Sequence, residues 1–439
     1  MSRLERGQDE KMPRLLAFCG DGCSFRGILS YHYMWAGLSS TTVGINDAQG
    51  LSFIRTADGN LDVGGHSAAC RPICGRSFCW PWVSAADACG RPMDPFILFL
   101  LDCLDFSLSP PMASSSKPLT ILFKHASGID IYMDVYLSPS ATQEKPAPCL
   151  LWWHGGGLLQ GSREDDNVVT IVVVSPHHLR APETHNITFI SADYRLAPQF
   201  RFPVILSDCA DAIQFLHSEH FKKETKGLAD TSQIILSGSS AGGWLSLLCG
   251  CGIGFEESGV PNPPPVQGII PIYPITDLED PFWTTKQTPV PYFGRFIAKE
   301  EVQPFIDPND PTSHVASSPL DSKRSFMYPY MLQEKRAILS DLLLSGTGIP
   351  PAAFSVAQSL KVGHNKLSVP PVYIVHGDQD TKVPVVQSRD VVEALKDLKR
   401  KLDIDYEYEE LKGIDHLYDR EPECEMEAMY QFIKRVFKS

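Results

Sequence analysis

The segment that most constrains this chain is Gly238-Ser239-Ser240-Ala241-Gly242. It follows an apolar run ending at Ser237 and opens a helix-like stretch that reaches Cys251. Where a strand turns sharply into a helix at G-x-S-x-G, the serine hydroxyl stands clear of the sheet. The flanking glycines let the two backbones approach across the turn. A chain built around such a turn needs a strand before it and a helix after it, so the motif points to an α/β architecture. A similar pattern, Gly65-His66-Ser67-Ala68-Ala69, has no long strand before it, and Pro72 breaks the helix that should follow. Ser240 is therefore the candidate nucleophile.

The surrounding pattern agrees. Strand-like runs occur at 119–123, 129–137, 148–153, 187–191, 233–237, 266–273, 372–375 and 403–411. Helical spacing covers 204–221, 241–251, 385–399 and 421–437. Strands alternating with helices predict a mostly parallel sheet flanked by helices on both faces. Between 281 and 368 the alternation stops and Pro and aromatic residues accumulate, with helix-like pieces at 299–305 and 331–344. A long insertion there predicts a helical lid or pocket wall over the C-terminal strand ends.

The first 111 residues differ in kind. They hold one lysine, Lys11, and seven of the 12 cysteines: Cys19, Cys23, Cys70, Cys74, Cys79, Cys89 and Cys103. Their spacing lacks the close pairs of a zinc site, so no metal is assigned. Residues 1–111 read as a poorly ordered or dispensable Cys-rich extension, and 112–439 as the α/β domain, with Met112 a candidate effective start. The later cysteines (Cys149, Cys209, Cys249, Cys251, Cys424) lie in apolar or helix-like stretches and read as buried thiols in a reducing compartment. A hydrophobic fraction of 43% excludes wholesale disorder. A net charge of −13 argues against nucleic acid as the main partner. With no signal peptide and no apolar run of about 18 residues, a cytoplasmic protein without a membrane span is expected.

A nucleophilic serine needs an oxyanion hole, a base and an orienting acid. His154-Gly155-Gly156-Gly157 directly follows the run ending in Trp153. The N–H groups of Gly155 and Gly156, with that of Ala241, are the candidate oxyanion donors, and His154 reads as a group that packs and orients the loop. After the run 372–375 comes His376-Gly377-Asp378-Gln379-Asp380, and after 403–411 comes Gly413-Ile414-Asp415-His416. Both fall at strand ends, where such a sheet gathers its functional groups. Asp380 is the candidate acid and His416 the candidate base. Asp378 is a rival acid, and Asp415 reads as part of a local turn. This chemistry requires no metal or organic cofactor.

Residues 117–439 resemble the α/β-hydrolase superfamily, and within it the hormone-sensitive-lipase-like esterase branch, most closely fungal members. The resemblance rests on His154-Gly155-Gly156-Gly157, on Ser191-Ala192-Asp193-Tyr194-Arg195-Leu196-Ala197-Pro198 followed by Phe202-Pro203, on the turn at Ser240, and on the order Ser, Asp, His. Ser239 stands where the branch usually has Asp, and Gln199 where it usually has Glu. The gaps from His154 to Ser240 and from Ser240 to Asp380 are long for the branch. The resemblance implies a serine esterase acting through an acyl-enzyme on a small-molecule ester, expected to be neutral or modestly polar. Thioesterase, lactonase or acyltransferase action on a secondary metabolite would use the same motifs. A non-catalytic receptor, as in the related plant gibberellin receptors, is disfavoured because those lack the catalytic histidine and His416 is present.

Overall fold

A computed structural model describes residues 28–29, 43–46, 50–53, 117–164, 174–318, 322–334, 339–362 and 369–438. The chain divides into two units, Met1–Leu104 and Asp105–Ser439. In the first, β1 (Ile28–Leu29), β2 (Val43–Asn46) and β3 (Gly50–Phe53) pair antiparallel in that order. The seven front cysteines and the Gly65–Ala69 pattern lie outside the described residues.

The second unit is built on an eight-stranded sheet. Its strands are β4 (Leu119–Ala126), β5 (Ile129–Tyr136), β6 (Ala147–Trp153), β7 (Thr188–Ala192), β8 (Ala229–Ser239), β9 (Gly268–Ile272), β10 (Val372–Gly377) and β11 (Tyr406–Leu411). They lie in the order β11-β10-β9-β8-β6-β7-β5-β4. Pairing is parallel from β11 to β7 and antiparallel across β7, β5 and β4.

The central strands are apolar on both faces because helices cover both. Side chains alternate across a strand, and the two cores divide accordingly. Cys149, Leu151 and Trp153 of β6 join one core, with Ile234 and Leu236 of β8 and Val372 and Ile374 of β10. Leu150, Trp152, Ile235, Tyr373 and Val375 join the other. The first core is covered by the helices Phe202–Leu216, Ala241–Cys251 and Val386–Lys399. The second is covered by Pro176–Thr184 and Glu427–Val436. In the latter, Met429, Tyr430, Phe432, Ile433 and Val436 form one buried stripe at helical spacing.

Several boundaries differ from the sequence expectation. The helix expected over 204–221 is two helices, Phe202–Leu216 and Glu219–Glu224, because Ser218 accepts the Phe221 N–H and starts a new helix. The piece expected at 331–344 is also split, into Met327–Gln333 and Leu339–Leu344. The last helix begins at Glu427 rather than 421, and the segment before it holds a single 3₁₀ turn at Tyr418–Arg420. Pro176–Thr184 was not anticipated, since two prolines and two histidines obscure its spacing. Cys149, Cys209, Cys249 and Cys251 are buried, whereas Cys424 is half-buried in the loop before the last helix. Among the described residues no helix is long and apolar enough to cross a membrane.

Candidate active site

Ser240 sits at the end of β8, immediately before the helix Ala241–Cys251, with φ 57° and ψ −117°. A non-glycine residue held there costs on the order of 1–3 kcal/mol and persists only where its surroundings enforce it. Here the Ser240 N–H donates to the Ile272 carbonyl at 2.8 Å, tying the turn to β9. A Cβ on Gly238 would lie 2.2 Å from the Gly242 backbone, and one on Gly242 would lie 2.0 Å from the Trp153 carbonyl oxygen. Strand and helix therefore meet as closely as they do only because both positions are glycine. Ser239 is buried and its Oγ accepts the Trp152 indole N–H at 3.2 Å.

The glycine loop packs directly against this turn. A Cβ on Gly155 would lie 3.0 Å from the Ser240 Cβ. Gly156 has φ +99°, and a Cβ there would strike the Gln160 carbonyl at 2.2 Å. Among the described residues no backbone carbonyl accepts the N–H of Gly155 or Gly156. Ala241 is the first residue of its helix, so its N–H has no intrahelical acceptor. His154 holds the loop from behind: its ring stacks on Tyr194 with centroids 4.3 Å apart, and its Nδ1 lies 2.8 Å from the Gly155 carbonyl. Burial lowers its pKa to about 4 against the opposing Gly155 hydrogen bond, so the ring is neutral near pH 7.

The D-Y-R-L-A-P stretch supports the same loop. The Tyr194 hydroxyl donates to the His154 carbonyl at 2.9 Å. Asp193 accepts from the Arg163 backbone and guanidinium at 2.8 and 2.6 Å. Arg195 makes a two-pronged pair with the buried Asp208. Gln199 donates its amide to the carbonyls of Phe305 and Asp307 and accepts from Arg324. An ionised glutamate there would have no proton to give those two carbonyls, so glutamine suits the packing of the Phe305–Asp307 segment against this stretch.

His416 and Asp380 meet across the ends of β11 and β10, with His416 Nδ1 2.5 Å from Asp380 Oδ2. The His416 side chain is 3% exposed and that of Asp380 is 0%. The other Asp380 oxygen accepts the backbone N–H groups of Lys382 and Val383, both at 2.8 Å. His376 Nε2 stands 3.2 Å from Oδ2. Burial pushes the Asp380 pKa up, but His416 and His376 outweigh it and hold the carboxyl well below the usual range. Burial lowers the His416 pKa against the pull of Asp380.

Asp378 and Asp415 are engaged elsewhere. Asp378 accepts the Gly413 N–H at 2.6 Å. Asp415 accepts from the Thr381 N–H and hydroxyl at 2.8 and 3.0 Å. Each ties the loop after β10 to the loop after β11, and so fixes the spacing between Asp380 and His416.

Ser240, His416 and the three loop glycines line a common cavity of about 230 Å³. The insertion contributes Tyr292, Phe293 and Tyr328 to its wall. Lys382 and Arg420 also line it, and neither was picked out from the sequence. The available signal was their position, two residues after the candidate acid and four after the candidate base.

Two family models match the chain: one described as "alpha/beta hydrolase fold" over residues 150–333, the other as "Prolyl oligopeptidase family" over 327–439. An α/β-hydrolase superfamily protein from Enterococcus faecalis superposes with a TM-score of 0.50 at 19% identity, covering 74% of this chain and 100% of that one. The chain has the α/β-hydrolase fold. A Staphylococcus aureus protein of unknown function shares this hydrolase fold, with a TM-score of 0.53 at 17% identity, covering 72% of this chain and 99% of that one. In sequence, the chain is similar to the non-reducing polyketide synthase ascC of Acremonium egyptiacum, 29% identical over 325 residues. That match takes in 68% of this chain but only 14% of the synthase.

Proposed function

We propose that this α/β-hydrolase is a serine hydrolase of the hormone-sensitive-lipase-like branch that cleaves carboxylic esters. The observation that carries the reading is the buried His416–Asp380 hydrogen bond beside a strained Ser240 in one cavity. His416 takes the Ser240 hydroxyl proton as Oγ attacks the acyl carbon, and Asp380 fixes the imidazole tautomer and stabilises the imidazolium. The N–H groups of Gly155, Gly156 and Ala241 receive the oxyanion; losing one such donor costs about 2.7–4 kcal/mol in the barrier. His416 returns the proton to the departing alcohol, and a water deprotonated by His416 then hydrolyses the acyl-Ser240.

The test is Ser240→Ala, which abolishes hydrolysis of p-nitrophenyl esters and labelling by a fluorophosphonate. Hydrolysis at the wild-type rate in that variant removes Ser240 from the mechanism.

A second reading follows from the likeness to a polyketide synthase. The same triad would release or transfer an acyl group held as a thioester, in secondary metabolism. Liquid-chromatographic product analysis with acyl thioesters, in the presence of water alone or of an alcohol acceptor, separates hydrolysis from transfer.

A further inference from the structure

The chain carries a net charge of −13, yet among the described residues the wall of the candidate active-site cavity has no Asp or Glu and two cations, Lys382 and Arg420. Among the described residues, neither the Lys382 Nζ nor the Arg420 guanidinium makes a hydrogen bond or an ion pair with a carboxylate. Other enclosed cations of this unit have acceptors: Arg163 pairs with Asp193, Arg195 with Asp208, Lys124 with Asp208 and Asp211, and the buried Arg324 donates to the carbonyls of Leu159 and Ala197. The carboxylates nearest Lys382 are committed to other partners, Asp380 to His416 and two backbone N–H groups, Asp415 to Thr381. The Lys382 ammonium rests over the Tyr292 ring, 4.5 Å from its centroid. The Tyr292 hydroxyl is itself buried without a hydrogen-bond partner. Burial depresses the Lys382 pKa and Arg420 adds to the depression, against the pull of Asp415 and Asp380. Two cations lining one cavity with no carboxylate bound to either are donors awaiting an acceptor.

We propose that Lys382, seated over the Tyr292 ring, and Arg420 bind an anionic oxygen group on the substrate, a carboxylate or phosphate, while Ser240 attacks its ester or thioester carbonyl. The assignment rests on the serine-hydrolase reading and names its substrate class. It replaces the neutral or modestly polar ester expected from the sequence with one that is anionic away from the scissile bond. The chain's overall negative charge does not oppose this, because the local cations are within contact range of the substrate and distant surface carboxylates are screened by salt.

The experiment compares kcat/KM within two matched pairs of substrates on the 439-residue chain. The first pair is mono-p-nitrophenyl glutarate against its methyl ester, which places or removes the anion on the acyl side. The second is S-acetyl pantetheine phosphate against S-acetyl pantetheine, which does so on the leaving group. The expected result is a preference of about tenfold or more for the anionic member of one pair, the size of a charge-assisted hydrogen bond. In Lys382→Met and Arg420→Met, and in the combined variant, that ratio falls toward one, while Arg420→Lys retains part of it. Turnover of the neutral esters without preference in either pair overturns the proposal, as does a preference that survives the combined variant. If no ester or thioester turns over, the hydrolase reading itself fails. The anion site is then decided by calorimetric binding of monomethyl glutarate and pantetheine phosphate: binding to wild type that is lost in the combined variant supports it, and absent binding overturns it.

Discussion

Replacing Asp380 by Asn tests the role of the acid because the structure dictates how the new amide must sit. In the native protein one carboxylate oxygen accepts two backbone N–H groups, of Lys382 and Val383, and the other faces His416 Nδ1. The amide oxygen of an asparagine takes the two backbone donors, since a carbonyl accepts and an NH₂ group cannot. The NH₂ group then points at His416 Nδ1, which must present its lone pair, and the proton moves to Nε2. His416 cannot then accept a proton from Ser240. The wrong tautomer in such a triad costs about 10⁴ in kcat, or about 5–6 kcal/mol at about 1.4 kcal/mol per tenfold. Because the side chain is fully buried, no water is at hand to relieve the mismatch. The assay is steady-state hydrolysis of a p-nitrophenyl ester at pH 7 to 8, with folding checked by thermal melting. Asp378→Asn is the control: among the described residues its carboxylate holds the Gly413 N–H alone, so the variant loses far less. A native-like fold of Asp380→Asn with kcat within about tenfold of wild type, or a greater loss in Asp378→Asn, would refute the assignment of the acid.

Three further outcomes are expected. The rate kcat/KM rises with pH through an ionisation below about 6.5, because burial lowers the His416 pKa and only the neutral ring accepts a proton; an acidic limb centred above pH 7 contradicts this. Gly242→Ala destabilises the fold by about 1–3 kcal/mol in urea titration, since its Cβ would lie 2.0 Å from the Trp153 carbonyl oxygen; an unchanged midpoint contradicts the close approach. A protein beginning at Met112 folds and keeps ester hydrolysis, whereas failure to fold contradicts reading residues 1–111 as a dispensable extension.

The elements most legible in the sequence are those whose chemistry is local. β6 shows as an unbroken apolar run because helices cover it on both sides, and the boundaries of Ala241–Cys251 are readable because Gly238 and Gly242 mark the turn before it. The motif residues around Ser240, Gly155 and His416 were visible as candidates for the same reason, since each sits at the end of a strand with a glycine turn beside it. What sequence obscured depends on contacts between distant segments. Whether Asp378, Asp380 or Asp415 faces His416 turns on loop geometry that spacing alone does not encode, and in the structure the two rivals act as staples between the loops. The helix Pro176–Thr184 lacks clean spacing because its residues are chosen to pack on Phe189 and Tyr430. Lys382 and Arg420 carry no motif signal, and only the fold brings both to the cavity wall.

The central claim is that Ser240 is the nucleophile, and covalent labelling tests it most directly. The 439-residue chain is treated with a fluorophosphonate, digested, and mapped by tandem mass spectrometry. The account predicts one stoichiometric adduct on Ser240, absent from Ser240→Ala and slowed in His416→Ala. An adduct on any other serine, or labelling that persists in folded Ser240→Ala, would contradict it.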